Sequence, residues 1–350
     1  MTALVAARLG AWPRLLFGTP GNAVLTLAFA GLLAVAAPPL LRWMVLDAVF
    51  TADPAACRAA AGACWGFIHA KSGQILFGIY PPDERWRPSV ACLVILALLL
   101  ASVRPHHWGR LLLWAWTGAG VTVAWLMLGG AGGLAPVPTS SWGGLPVTLI
   151  LTVVAIGLGF PSAVLLALGR RSRLPAVRVS ATLFIEMVRG LPLLSLLFIA
   201  SIMLPLFLPE QLLPDKFVRA LVALTLFASA YLAEVVRGGL QGMPSGQAEA
   251  AEALGLSWWN TQRLVVLPQA IRAVIPALAS TVIVMIKNTS LVLVVGLFDL
   301  ISSGRAALAD PAWPSPTAET YLVIGAIYFA LSFAFARFAD FMERRGGDAR

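Results

Sequence analysis

Long apolar runs recur along the whole chain and restrict its possible folds more than any motif does. A helix needs about 20 apolar residues to cross a hydrocarbon core of roughly 30 Å, because lipid leaves free backbone groups unsatisfied. Eight runs meet this need, over approximately residues 23–46, 88–104, 111–130, 146–169, 180–205, 217–237, 273–298 and 320–341. The second is short, and the fifth has no sharp start. With 59% hydrophobic and 12% charged residues and a mean hydropathy of +0.85, the chain reads as an all-α polytopic membrane protein. Its net charge of +9 does not point to nucleic acid, since the arginines stand singly between apolar runs and form no basic face.

The N-terminal MTALVAARLGAWPRLLFG carries Arg8 and Arg14 but no small-residue cleavage site, so it reads as an uncleaved cytoplasmic arm. With that end inside, both termini and the loops around 104–110, 170–178 and 237–272 are cytoplasmic, and they hold most of the 25 Lys and Arg residues. The same orientation makes 47–87 a long periplasmic loop. Cys57 and Cys64 both fall in it, where an oxidising compartment permits a disulfide; two unbridged small residues fit the sequence as well. Cys92, inside an apolar run, reads as a packing residue. His106 and His107, beside Arg104 and Arg110, read as a solvated interfacial pair, and no residues have metal-ligand spacing.

The stretch GGAGGLAPVPTSSWGG, 129–144, has the Gly, Pro and Ser content of a linker. It divides an N-terminal three-span region, 1–140, from a five-span region, 145–342. Two phrases in the second region echo each other: EMVRGL, with Glu186 and Arg189, and EVVRGGL, with Glu234 and Arg237. In each, Glu and Arg three apart share a helix face and can pair at the cytoplasmic interface, and the following Gly lets the backbone turn or pack closely.

The insert AEAAEALGLSWWNTQRLVVLPQA, 248–270, is the most polar stretch between the apolar runs. Ala, Glu and Leu favour a helix up to Leu254, Gly255 ends it, Ser257 can cap a second helix and Pro268 ends that one. Two short helices with a fixed bend follow. Trp258 and Trp259 suit either a protein interface or the lipid headgroup belt.

Its pattern is Glu249, Ala250, Ala251, three residues, Gly255, nine residues, Val265, one residue, then Leu267 and Pro268. That pattern resembles the signature loop of ABC importer permeases. The phrases EMVRGLPLL, AYLAEVVRGGLQGMPSGQAEAAEALGLS and IKNTSLVLVVGLFDL are similar to the polar amino acid branch of that family. The resemblance covers about 145–342, and the eight-span layout with a long first outer loop looks like the smaller permease subunit of general L-amino acid importers. It implies a five-helix type I permease core preceded by three extra helices. It also implies that the loop 238–271 holds a coupling helix, with Glu249, Ala250, Ala251, Gly255, Leu267 and Pro268 as its motif, docking into a separate ATPase dimer. A homologous permease subunit, a periplasmic amino acid-binding protein and an L-amino acid substrate are the other implied partners.

Lys287 lies near the middle of the seventh run, followed by Asn288, Thr289 and Ser290. An ammonium at that depth needs a partner or water, so these four residues are candidates for a substrate pathway, the polar trio being able to break the helix. Pairing of Lys287 with Glu186 or Glu234 is the structural alternative. The chain itself has no nucleotide-hydrolysing signature: its lysines, Lys71, Lys216 and Lys287, do not follow Gly, and no GxSxG occurs. It requires no cofactor, and energy is expected from another chain. An ion-coupled secondary transporter is the rival expectation, but it leaves 249–270 unexplained.

Overall fold

The computed structural model describes residue 13 and residues 15–347. The expected arm with Arg8 and Arg14 therefore lies outside the described residues, apart from its last few positions. Among the described residues the architecture is helical, with no named strand. We number the helices α1 (Pro20–Leu41), α2 (Pro54–Ala59), α3 (Trp65–Phe77), α4 (Trp86–Ser102), α5 (Arg110–Leu128), α6 (Gly144–Arg170), α7 (Pro175–Gly190) and α8 (Leu193–Phe198). The remainder are α9 (Lys216–Gln241), α10 (Ser245–Ala253), α11 (Trp258–Asn260), α12 (Leu267–Ala273), α13 (Ile275–Asn288), α14 (Leu300–Leu308) and α15 (Thr317–Gly347).

Seven described helical segments are long and apolar enough to cross a membrane, and an eighth span arises if one bent pair is counted as one. That pair lies over the fifth expected span. The run 180–205 is not straight: Pro175–Gly190 and Leu193–Leu206 meet at 102°. The cause is local. Pro192 disfavours helical backbone at Leu191, which is extended at φ −96°, ψ 136°. Upstream of the bend α7 is amphipathic, burying Ala181, Ile185 and Val188 at helical spacing.

The chain forms two compact units, Met1–Ala70 with Asp310–Glu319, and Lys71–Ala309 with Thr320–Arg350. In the first, Cys57 and Cys64 are joined in a disulfide with Cα atoms 5.4 Å apart. Around it, Arg58 Nη1 donates to Ala312 O at 2.7 Å and the Cys64 N–H to Glu319 Oε1 at 2.8 Å. Trp313 packs its ring edge-on to Phe67 at 5.4 Å. Thus the loop between α1 and α4 and residues 312–319 are held together by contacts that lie more than two hundred residues apart in sequence.

In the second unit α9 is the central helix and packs chiefly along α6, with α7, α12 and α13 also against it. The α6 face is made of small residues four apart, Ala155, Gly159, Ala163 and Ala167, all buried. Such a stripe lets two helices approach closely where lipid supplies no hydrophobic drive. A Cβ at Gly159 would lie 3.1 Å from Ala228 Cβ and 3.4 Å from the Thr225 carbonyl. The helices α4 and α5 form a hairpin beside this pair.

The stretch 129–144 is pinned, not slack. Arg87 is fully buried; its Nε donates to Leu126 O at 2.6 Å and its Nη1 to Ala135 O at 2.8 Å. Its guanidinium also lies over the Tyr80 ring at 5.8 Å. Burial pushes the Tyr80 phenol above its ordinary pKa, outweighing the opposing pull of Arg87. Trp142 packs edge-on against Phe217 at 5.1 Å, attaching the end of the stretch to α9.

The α6–α9 seam is expected to tolerate no larger side chain. Gly159→Leu should destabilise the protein by about 2 kcal/mol through overpacking, read as a lower midpoint of thermal unfolding in detergent. Gly157→Leu, whose added Cβ meets nothing within 4 Å, should leave the midpoint close to wild type.

Candidate functional site

The insert folds as a kinked helical knob. α10 ends in a six-residue turn in which the Leu256 N–H donates to Ala251 O at 3.2 Å and the Gly255 N–H to Glu252 O at 2.9 Å. These paired bonds are a Schellman cap, which requires a left-handed residue at its fifth position. Gly255 supplies it, at φ +82°, and nothing lies within 4 Å of where its Cβ would be. The demand for glycine is therefore one of backbone conformation and not of space. Ser257 then caps α11, its Oγ accepting from the Asn260 N–H at 3.5 Å.

From Trp258 the chain is helical through a π turn, Thr261–Val266, into α12. Pro268 does not end the second helix, as its sequence suggested. It occupies the first turn of α12, where its missing N–H costs nothing. The π turn, whose closing bond runs from the Leu267 N–H to Gln262 O, accommodates the change of register just before it.

One face of the knob is seated on the ends of two long helices. Val266 and Ala270 pack with Ala167 and Leu168 of α6 and Val236 and Leu240 of α9. Gly239 permits this contact, since a Cβ there would lie 2.6 Å from Ala270 O. Ala251 is buried, and Gln269 Nε2 donates to Gln247 Oε1 at 3.3 Å, tying α12 to α10. The other face is open: Glu249 and Ala250 are exposed, and Leu254, Trp258, Trp259 and Leu264 are 84%, 53%, 51% and 61% exposed.

Beside the seat lies a network of five charged residues. Glu234 and Arg237 pair within α9 through Arg237 Nε, 3.0 Å from both carboxylate oxygens, and through Nη2. Among the described residues Glu186 and Arg189 do not pair with each other. Arg170 reaches Glu186 Oε1 at 2.7 Å and Glu234 Oε2 at 3.1 Å, while Arg189 lies 3.7 Å from Glu234 and over the Tyr231 ring at 5.6 Å. Arg170 thus joins the ends of α6, α7 and α9. Nothing local marks it, because its partners are 16 and 64 residues away. Arg171 adds a bond to Leu240 O at 2.9 Å.

The Lys287 segment tightens instead of opening. α13 passes directly into a 3-10 helix, Thr289–Val295, which ends at left-handed Gly296. Thr289 Oγ1 donates back to Ile286 O at 2.7 Å and Ser290 Oγ to Lys287 O at 2.8 Å, so the hydroxyls bond to their own helix. Lys287 is exposed and Asn288 is partly so. No described carboxylate pairs with Lys287: Glu186 and Glu234 are taken by arginines, which overturns the structural pairing considered from the sequence.

Sequence reasoning also missed Asp299, which is wholly buried. Its Oδ1 accepts from the Ser302 N–H at 2.9 Å and from the Ser302 hydroxyl, and its Oδ2 accepts from the Ile301 N–H at 3.1 Å and the Tyr328 hydroxyl at 3.2 Å. This carboxylate caps α14 and ties it to α15. An N-cap aspartate in GLFDLISS was a readable signal; its Tyr328 partner was not. Among the described residues no group of three or more His, Cys, Asp and Glu is gathered to hold a metal ion.

A multi-pass helical chain bearing a capped, two-tryptophan knob on the ends of its two most tightly packed helices has the build of an importer permease. Residues 155–346 match the family described as the binding-protein-dependent transport system inner membrane component. The inner membrane amino-acid ABC transporter permease protein YhdY of Escherichia coli (strain K12) is 46% identical over 338 residues, 96% of this chain and 92% of its own length. The glutamate/glutamine/aspartate/asparagine transport system permease protein BztC of Rhodobacter capsulatus is 35% identical over 94% of this chain and 92% of its own. Among solved structures, a chain in the crystal structure of an amino acid ABC transporter with histidines aligns at TM-score 0.50 and 34% identity, over 57% of this chain and 91% of that one. The chain belongs to the binding-protein-dependent transport inner membrane component family. It is a multi-pass inner membrane permease of the ABC importer class, with a type I permease fold and extra N-terminal helices, and not an ion-coupled carrier.

The network should behave as one coupled unit. A double-mutant cycle with Arg170→Gln and Glu234→Gln is expected to show a coupling of about 1 kcal/mol, since the groups are only partly exposed and in direct contact. Additive losses of stability in detergent would show that the pair is not coupled.

Proposed function

We propose that this permease carries L-amino acids inward, powered by a separate ABC ATPase dimer that the knob engages. The observation that carries the reading is the knob itself: a helix closed by a Schellman cap at Gly255, seated on α6 and α9, with Leu254, Trp258 and Trp259 exposed. Force applied to that face reaches the membrane helices through Val266 and Ala270, and Glu249, Ala250, Ala251, Gly255, Leu267 and Pro268 shape the lever. A homologous permease subunit and a periplasmic amino acid-binding protein complete the transporter. The amino acid substrate is supported by the names of the relatives YhdY and BztC.

Both termini and the loop 238–271 are cytoplasmic in this reading, and 47–87 is periplasmic. Residues 145–342 are the transport domain, with 1–140 an accessory region. Lys287, Asn288, Thr289 and Ser290 line the substrate path, Lys287 offering an ammonium with no carboxylate partner among the described residues. Glu186, Arg189, Glu234 and Arg237 clamp the cytoplasmic ends of the helices that bear the knob.

The test is ATP-driven uptake of a radiolabelled L-amino acid in proteoliposomes containing the complete transporter, with the chain lacking its ATPase as control. Gly255→Val should lower uptake per ATP hydrolysed roughly tenfold, because a β-branched residue resists the left-handed cap. Gly255→Asn, which tolerates that conformation, should keep most of it. Equal loss in both variants, or in neither, would refute the lever. Lys287→Gln should raise the KM for uptake and leave the ATP-to-substrate ratio unchanged; an unaltered KM would remove Lys287 from the path.

A further inference from the structure

The turn between α4 and α5, VRPHHWGR, plays no part in the mechanism above, yet it carries an unusual combination of surfaces. An apolar groove of about 520 Å³ runs along Leu100, Ala101 and Val103 and is completed by the Arg104 and His107 side chains. The turn is held in a defined shape: Trp108 Nε1 donates to Ser102 O at 2.8 Å, Trp116 Nε1 to Ser102 Oγ at 3.0 Å, and the His107 ring meets Ala101 O at 3.0 Å. Arg104 is exposed, and so is Arg110, which opens α5 on the same turn. No Asp or Glu occurs anywhere between Glu84 and Glu186, so no carboxylate from this stretch of sequence neutralises these guanidinium groups.

The surroundings are those of a membrane boundary. Leu100, Leu111 and Trp114 are 69%, 82% and 70% exposed on the sides of the two spans, where only hydrocarbon suits them, while Trp108 sits at the turn as an interfacial anchor. An occupant must therefore be apolar along Leu100, Ala101 and Val103 and anionic at Arg104 and Arg110. We propose that the α4–α5 turn is a binding site for an anionic phospholipid, one acyl chain lying in the groove and the headgroup phosphate held by Arg104 and Arg110. A soluble anion satisfies only half of this surface, and an acidic protein segment would leave the lipid-facing groove uncovered.

The full-length protein in nanodiscs of mixed phosphatidylglycerol and phosphatidylcholine, released into detergent and weighed by native mass spectrometry, tests it directly. Wild type should retain phosphatidylglycerol over phosphatidylcholine by roughly thirtyfold, as two basic side chains near a lipid surface supply. Arg104→Gln/Arg110→Gln should bring the ratio close to one. Ala101→Trp, which fills the groove and leaves the charges in place, should also lower the retained lipid. Arg173→Gln/Arg178→Gln, removing two exposed cations elsewhere, should retain the preference. The proposal is overturned if wild type shows no preference, if either turn variant binds as wild type does, or if the distant pair of substitutions weakens binding equally. It is likewise overturned if glycerol phosphate or a polyglutamate peptide displaces the bound lipid, because the site would then recognise a free phosphate or an acidic partner.

Discussion

The close contact of α6 and α9 is the constraint on which the rest of the second unit depends. In a hydrocarbon solvent two helices gain little from burying leucines against each other, because the lipid is equally apolar; they gain from approaching closely enough for many atoms to touch. Ala155, Gly159, Ala163 and Ala167 provide a flat strip for this, and α9 answers at Gly159 with the Ala228 methyl and the Thr225 carbonyl. Once the pair is fixed, the positions of its ends follow, and with them the seat for the knob and the meeting point of Arg170, Glu186, Arg189, Glu234 and Arg237.

The knob shows how a short polar sequence can be stiff without being buried. Each of its joints is closed by hydrogen bonds to its own backbone: the double bond pattern at Gly255, the Ser257 cap, and the π turn that receives Pro268. Its open face can then present leucine and tryptophan side chains in fixed positions, while the covered face consists of small and β-branched residues that fit between α6 and α9. A flexible loop of equal length would dissipate a push from a partner in its own motion.

Much of this was legible in the residues. Apolar run length marked the spans, the spacing of Glu249 to Pro268 marked the knob, and the i, i+3 spacing marked the Glu234–Arg237 pair. What escaped notice shares one property. Arg170, Asp299 with Tyr328, Arg87 with Ala135, and the loop-to-loop contacts of Arg58 and Cys64 all involve partners remote in sequence, which no local pattern can specify. The bend in the fifth run has a local cause: Pro192 acts on the residue before it whatever the surrounding hydropathy, so apolar content marks that segment but not its course.

The sequence by itself determined the solvent, the helical class, the number of candidate crossings within one, and the site of the capped turn, because each of these depends on composition or on residues a few positions apart. Only the tertiary structure decided which carboxylate each arginine meets, that Lys287 lacks the glutamate partners available to it, and that Cys57 and Cys64 are bridged. Charge pairing is settled by distances of a few ångströms between side chains, and those distances are set by how helices pack, a property of the whole folded chain.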